Sequence, residues 1–514
     1  VTTTSTAHAV RDPVRLRIPS AVPLGVAGSA FLAVSSFMAG ATRNRGGILE
    51  ELGLGFFSYG HGRNMGMVLF WIGMVLLIGA WVVAYKQFVQ PFSEDTGSHQ
   101  PAAPTRTGIA GLRRALWAWI APLAFSAPLA SRDVYSYLMQ GAMVRDGFDP
   151  YTQGPAVNPG PFLLEVSQDW RNTTTPYGPL HLWIGDIVTR IVDSNVVAGV
   201  IFFKALALIG FAAIAWSVPR IARCLGGDPA LALWLGVCNP VLLLHLVAGM
   251  HNEALMVGIV SVALLLALRH RFHGAFILIG LGVAVKATAL IAMPFAVWLA
   301  VQRFAPEKEA SLLRRAGVFV LAGIWAVAEI VLALAVVTWA SGTSWGWLSE
   351  ITGNAKVINP LAAPTLATDA VAPITSVFFP DVTYNAVLNV FRAISTVAML
   401  VGLVAVWWLS RRTRRSAIAG TAAAYQVAFI FNSVTLPWYY ASVITVLGTF
   451  RPPRWLLKLA TGASIFVALS FSADGNHQLY NFFWMLASAL IGFAAAQWLF
   501  QPPRAKTPEP ARGA

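Results

Sequence analysis

Residues Met65–Tyr85 read MGMVLFWIGMVLLIGAWVVAY, an uncharged run of the length needed to cross roughly 30 Å of hydrocarbon at about 1.5 Å per residue. In lipid such a run satisfies its backbone only as a helix. Similar runs recur along the chain: Ser20–Ala41, a stretch ending near Ala130, Asn195–Val218, Pro229–Gly249, Ala254–Leu268, one ending near Trp339 and one ending at Arg411. They continue through Ser416–Thr435, Leu436–Phe450, Trp455–Phe471 and Gln478–Leu499. The whole sequence agrees, with 57% hydrophobic residues, 11% charged residues and a mean hydropathy of +0.64 over 514 residues. No charged skin of that size encloses so much apolar side chain, so the bilayer is the solvent. The expected fold is an all-α integral membrane bundle of about fourteen spans.

The formal charge of +14 is a topology signal and not a nucleic-acid signal, because the basic residues sit in short loops beside apolar runs. Arg11, Arg15 and Arg17 precede the first span, and Lys86, Arg113, Arg220, Arg223, Arg269, Arg303 and Arg411–Arg415 follow or precede later ones. This places both termini inside. Six segments follow: 1–130 with the first three spans, 131–193 as an external loop, 194–340 as central spans, 341–385 as a second external loop, 386–500 as C-terminal spans, and a disordered tail at 501–514. The run His273–Gln302 is too long for one crossing and carries Lys286 at its middle, so two short helices are expected to meet there on the outer side. Pro179–Ile191 is short and contains Asp186 and Arg190, which suits an interfacial or re-entrant helix.

Chemistry, if present, lies in the external segments. Ser131-Arg132-Asp133-Val134-Tyr135-Ser136-Tyr137 opens a short amphipathic helix with Val134, Leu138 and Ala142 on its apolar face, and Asp133 in the first turn, where the helix dipole favours a carboxylate. Asp133 either caps that helix, pairs with Arg132, or is a reactive carboxylate. Asp149-Pro150-Tyr151 has turn chemistry. The hydroxyl-rich, aromatic Asn172–Pro179 turn, His251-Asn252-Glu253 at a helix start, Lys286, and Pro437-Trp438-Tyr439-Tyr440 fall on the same side. A cation at the membrane surface suits a lipid-linked phosphate, while hydroxyls and aromatic rings suit sugars, although each also has a scaffolding explanation. Cys224 and Cys238 lack metal-ligand spacing, and one His with one Glu makes no metal site. No Walker loop or dinucleotide fingerprint is present, and intramembrane charges are sparse, which disfavours a pump, transporter or flippase.

The strings SRDVYSYLMQGAMVRDGFDPY (Ser131–Tyr151) and TTPYGPL (Thr174–Leu180), with HNE, VAVKATAL and LPWYY further on, resemble the actinobacterial polyprenol-phosphomannose-dependent alpha-1,6-mannosyltransferases, of the type that acts early in lipomannan and lipoarabinomannan assembly. The layout is similar to the wider GT-C glycosyltransferases. The resemblance implies an inverting transfer of mannose from polyprenyl-phosphate-mannose to the 6-hydroxyl of a mannosylated glycolipid, on the extracytoplasmic face of a bacterial plasma membrane. It implies Asp133 as general base and Lys286, Arg132 and His251 as donor-phosphate ligands. Tyr137, Asp149, Tyr151, Tyr177, Glu253, Trp438 and Tyr439 are then sugar-binding candidates, with no metal and no cofactor. The alternatives are a membrane transporter or lipid-linked sugar flippase, a related enzyme using another polyprenyl-linked sugar, and a structural partner in a cell-envelope complex.

Overall fold

The computed structural model describes residues 20–44, 46–89, 106–353, 358–359 and 362–501. The basic N-terminal residues Arg11, Arg15 and Arg17 and the C-terminal tail, expected inside, lie outside the described residues. Every regular element among the described residues is helical, apart from one isolated antiparallel bridge between Phe471 and His477.

Among the described residues, seven helices are long and apolar enough to cross a membrane: Ala21–Ala39, Gly60–Val89, Val196–Cys224, Ala287–Phe304, Leu312–Ser341, Tyr384–Leu409 and Phe482–Leu499. The bent pair Pro229–Gly236 and Pro240–Ala248, angled at 47°, makes eight if counted as one span. The expectation of about fourteen counted shorter segments as full crossings. Glu253–Leu268 and Phe272–Val285 have 16 and 14 residues, Arg454–Ala468 has 15, and Ala441–Leu447 has 7. Hydropathy reads an apolar run without seeing where it bends, and here proline, glycine and polar residues interrupt the runs. The break at Lys286 does occur: the helix Phe272–Val285 stops, Lys286 is extended (φ −154°, ψ 128°), and a 3₁₀ turn leads into Met293–Phe304.

The bundle has two chemically different ends. At one, Arg414 donates to the carbonyl of Leu268 and Arg415 to that of Leu225, while Arg220 feels the charges of Arg113, Arg223 and Arg269. The basic residues that the sequence assigns to one side thus meet at one end. The opposite end gathers the segments beginning at Ser131, Tyr177, Glu350, Val434 and Phe471 around a cavity. Between the ends, Tyr384–Leu409 buries only Val387, Leu388 and Ser395, leaving Ile394, Val397, Val401 and Val404 outward. A stripe that apolar and unburied has lipid as its favourable solvent.

The Asp133–Arg145 helix is not amphipathic in the expected sense. Residues Val134 to Met143 are all buried, because protein covers the face expected to be wet. It packs so closely on Pro179–Val192 that a Cβ on Gly141 would lie 2.2 Å from the Gly185 carbonyl carbon. Only paired glycines permit this approach, which is how backbones come together where small residues face each other. Pro179–Val192 also bonds its own Asp186 and Arg190 at 2.8 Å, so its charges are internally matched.

Candidate active site

The site begins with backbone strain. Ala130 and Met250 both hold positive φ, 60° and 56°, in a region that costs a non-glycine residue about 1–3 kcal/mol. One immediately precedes the Ser131–Asp133 turn and the other precedes His251. The folded chain holds both in place to turn two polar segments inward toward each other.

Asp133 is the centre of the arrangement. Its backbone N–H donates to Ser131 Oγ at 3.1 Å, a local turn bond and not the expected cap, since Arg132 holds the N-cap position and no side chain caps the helix. Tyr137 Oη donates to Asp133 Oδ2 at 3.5 Å and accepts from the Asn252 N–H at 3.4 Å. The carboxylate side chain is 19% exposed and borders a cavity of about 530 Å³. Burial holds the Asp133 carboxyl above its usual 3.8, opposed by the Ser131 hydrogen bond, the Lys286 charge and the Tyr137 hydroxyl. Asp133 does not pair with Arg132. That guanidinium donates instead to the Glu165 carbonyl and carboxylate and to the Thr42 carbonyl, four hydrogen bonds in all, leaving one of its five N–H groups.

Behind the cavity wall, Lys286 is ion-paired and hydrogen-bonded to Glu253, both nearly inaccessible. The ammonium also lies 3.9 Å from the Tyr439 ring centroid and 5.6 Å from that of Tyr177. The expected free ammonium for a phosphate is therefore engaged by a carboxylate 33 residues earlier in the chain, and Glu253 is a counter-ion where a sugar ligand was expected. His251, expected as a further phosphate ligand, is fully buried and stacks on Trp438 with centroids 3.6 Å apart. The Thr175–Pro179 turn reaches this layer through Gly178, whose N–H donates to the Val285 carbonyl at 3.1 Å and whose missing Cβ admits the Ala284 carbonyl.

Of the sugar-binding candidates, Tyr177, Trp438 and Tyr439 line the cavity, as do Arg132 and Asp133. Tyr137 stands one layer behind, edge-on to Tyr177 at 5.5 Å. Asp149 and Tyr151 do not line it. Asp149 accepts the Tyr151 N–H at 2.9 Å as a turn former, and Tyr151 is buried under Gly346. Asn172, which opens the expected Asn172–Pro179 turn, also lines the cavity, whereas sequence reasoning missed Asp169, Trp170, Glu350, Asp474 and His477, all of which line it too. Glu350 accepts a hydrogen bond from Thr174, 176 residues away. The available signal was an acidic residue closing the short Trp345–Glu350 run, which holds two tryptophans. The cavity wall combines carboxylates, amides, hydroxyls and aromatic faces, a set suited to a neutral polyhydroxylated ligand.

Two family models match. One described as "Alpha-(1->6)-mannopyranosyltransferase, N-terminal domain" covers residues 22–302, and one described as "MptB C-terminal domain" covers 364–501. The chain is 53% identical to alpha-(1->6)-mannopyranosyltransferase A of Corynebacterium glutamicum, over 91% of this chain and 96% of that protein. It is 34% identical to alpha-(1->6)-mannopyranosyltransferase A of Mycobacterium tuberculosis, over 91% and 88%. Identity to alpha-(1->6)-mannopyranosyltransferase B of Corynebacterium glutamicum is 28%, over 83% and 72%. Within one bacterium the chain is thus nearer to the A protein than to the B protein. It belongs to the alpha-(1->6)-mannopyranosyltransferase family.

Proposed function

We propose that the protein transfers mannose from polyprenyl-phosphate-mannose to the 6-hydroxyl of a mannosylated glycolipid, with inversion at the anomeric carbon. The observation that carries this reading is Asp133, a half-buried carboxylate on the border of a cavity rich in aromatic rings and hydroxyls. It takes the proton of the acceptor hydroxyl as that oxygen attacks the anomeric carbon, and a β-linked donor then gives an α-linked product. Its elevated basicity relative to an exposed carboxylate suits that task. The leaving lipid phosphate needs no proton. The remaining N–H of Arg132 meets it at the cavity wall, and Lys286 adds positive potential from behind. Tyr177, Trp438 and Tyr439 form the apolar faces on which the sugars lie.

In this reading the protein is a GT-C type bundle in a bacterial plasma membrane, with Asp133 on the extracytoplasmic face. The shorter helices, such as Glu253–Leu268 and Phe272–Val285, complete crossings to give about fourteen spans. The basic end faces the cytoplasm, as the positive-inside rule favours.

The test is transfer from polyprenyl-phosphate-mannose to a short alpha-mannoside by purified protein, with linkage analysis of the product. Asp133→Asn is expected to lower the rate by about 10²–10⁴-fold, the usual contribution of a general base. Normal transfer by that variant removes Asp133 from the role, and a product with another linkage or sugar overturns the substrate assignment. Cysteine labelling at Asp169 against Arg412 in intact cells is expected to modify only the former.

A further inference from the structure

His251 faces Asp133 with its Nε2 3.7 Å from Oδ2. Its other nitrogen, Nδ1, is 2.7 Å from the His245 carbonyl oxygen. A carbonyl oxygen only accepts, so Nδ1 carries the hydrogen and the neutral ring presents a lone pair at Nε2. That nitrogen is buried and has no hydrogen-bond partner among the described residues. The ring is immobilised by stacking on Trp438 at 3.6 Å and 22°, and Met250, at φ 56°, holds the turn that directs it inward. An imidazolium donating to a carboxylate closes to about 2.7–2.9 Å. The wider gap is that of two acceptors held side by side.

We propose that His251 is a positioning residue which strengthens Asp133 as a base. Its lone pair opposes the ionised carboxylate and accepts a hydrogen bond from the carboxyl group once the proton has arrived from the acceptor hydroxyl. No bond to His251 forms or breaks in the transfer. The proton moves from the acceptor oxygen to Asp133, the C–O bond forms as the anomeric C–O bond to phosphate breaks, and the electron pair leaves with the phosphate. This inference rests on Asp133 being the base and replaces the role of phosphate ligand that the sequence suggested for His251. The other groups facing the carboxylate are Tyr137 on its own helix, Tyr177 from the Thr175–Pro179 turn, the Glu253–Lys286 pair, and Tyr439 from the Pro437–Tyr440 turn.

The test compares pH profiles of kcat/KM for wild type, His251→Phe and His251→Gln. The phenyl ring keeps the stacking and removes the lone pair. The acid limb is expected to move to lower pH by about one unit, and kcat at neutral pH to fall about tenfold. KM for donor and acceptor should stay within about twofold, since neither ligand touches His251. Glutamine offers an N–H to the carboxylate and should move the limb at least as far. A limb that moves up, or a donor KM that rises tenfold, assigns His251 a cationic or phosphate-binding role and overturns the proposal, as does an unmoved limb. Asp133→Asn measured alongside separates the two claims. Activity retained there sinks the base assignment, whereas an inactive Asp133→Asn with an unmoved limb in His251→Phe sinks only the role of His251. Gel filtration checks the folding of each variant. Nitrogen NMR of histidine-labelled wild type needs no variant: absence of any neutral Nδ1–H histidine among the nine at neutral pH also overturns it.

Discussion

Lys204 and Lys286 are both buried lysines in a chain dominated by apolar helices, yet they are held in opposite ways. Lys204 donates to the carbonyls of Leu123, Val247 and Ala248, at 3.2, 2.9 and 3.3 Å, and to Ser126 Oγ at 3.1 Å. Its partners are carbonyls at the C-terminal ends of Arg106–Ala124 and of the π-helical Leu243–Ala248, where helix ends carry partial negative charge. Lys286 instead meets a full carboxylate, Glu253, and two aromatic faces, with Asp133 close enough for its charge to be felt. One lysine joins backbone segments, and the other sets the potential of the site. A buried lysine is therefore a functional candidate when its charge reaches a carboxylate that borders a cavity, as that of Lys286 reaches Asp133.

The sharpest way to break this comparison is Lys286→Met. It leaves Glu253 buried without its partner, an arrangement that costs about 3–5 kcal/mol, and should lower both thermal stability in detergent and transfer. The double variant Lys286→Met with Glu253→Leu removes both charges, so stability should return to within about 1–2 kcal/mol of wild type. Transfer should stay at least about tenfold down, because the potential at the phosphate is gone. Full recovery of activity in the double variant makes Lys286 as structural as Lys204. Lys204→Met should lower stability by about 1–3 kcal/mol by leaving the Val247 carbonyl without its donor, while KM and kcat of the folded fraction remain those of wild type. A changed KM would falsify the distinction.

Smaller effects refine the site. Because burial raises the Asp133 carboxyl above 3.8, the group is protonated at a higher pH when folded than when unfolded. Its ionisation as pH rises through the folded value therefore opposes stability, the reverse of the usual carboxylate. Activity runs the other way: the acid limb of kcat/KM should lie above 3.8 and disappear from the residual rate of Asp133→Asn. Gly141→Ala places a methyl group against Gly185 and should destabilise by about 1–3 kcal/mol through overpacking. A neutral result there would mean that the two helices separate without harm to the Asp133 site.

Much of this was legible in sequence. The Asp133 helix, the break at Lys286 and the opposed polarity of the two ends were read from local pattern and charge position. The other bends inside the apolar runs were not, because a break such as Cys238–Asn239, between Gly236 and Pro240, leaves the hydropathy of the run unchanged. The partners were not legible either. Nothing near Lys286 announces Glu253, and nothing near Thr174 announces Glu350.

By itself the sequence determined that this chain is a helical membrane protein of a recognisable family, since hydropathy, backbone satisfaction and charge asymmetry are properties of segments. Only the tertiary structure decided that His251 presents a lone pair to Asp133, that Lys286 is neutralised by Glu253, and that Lys204 joins helix ends. Those outcomes depend on distances of a few ångströms between segments far apart in the chain, and electrostatic energies in a low-dielectric interior are set by those distances.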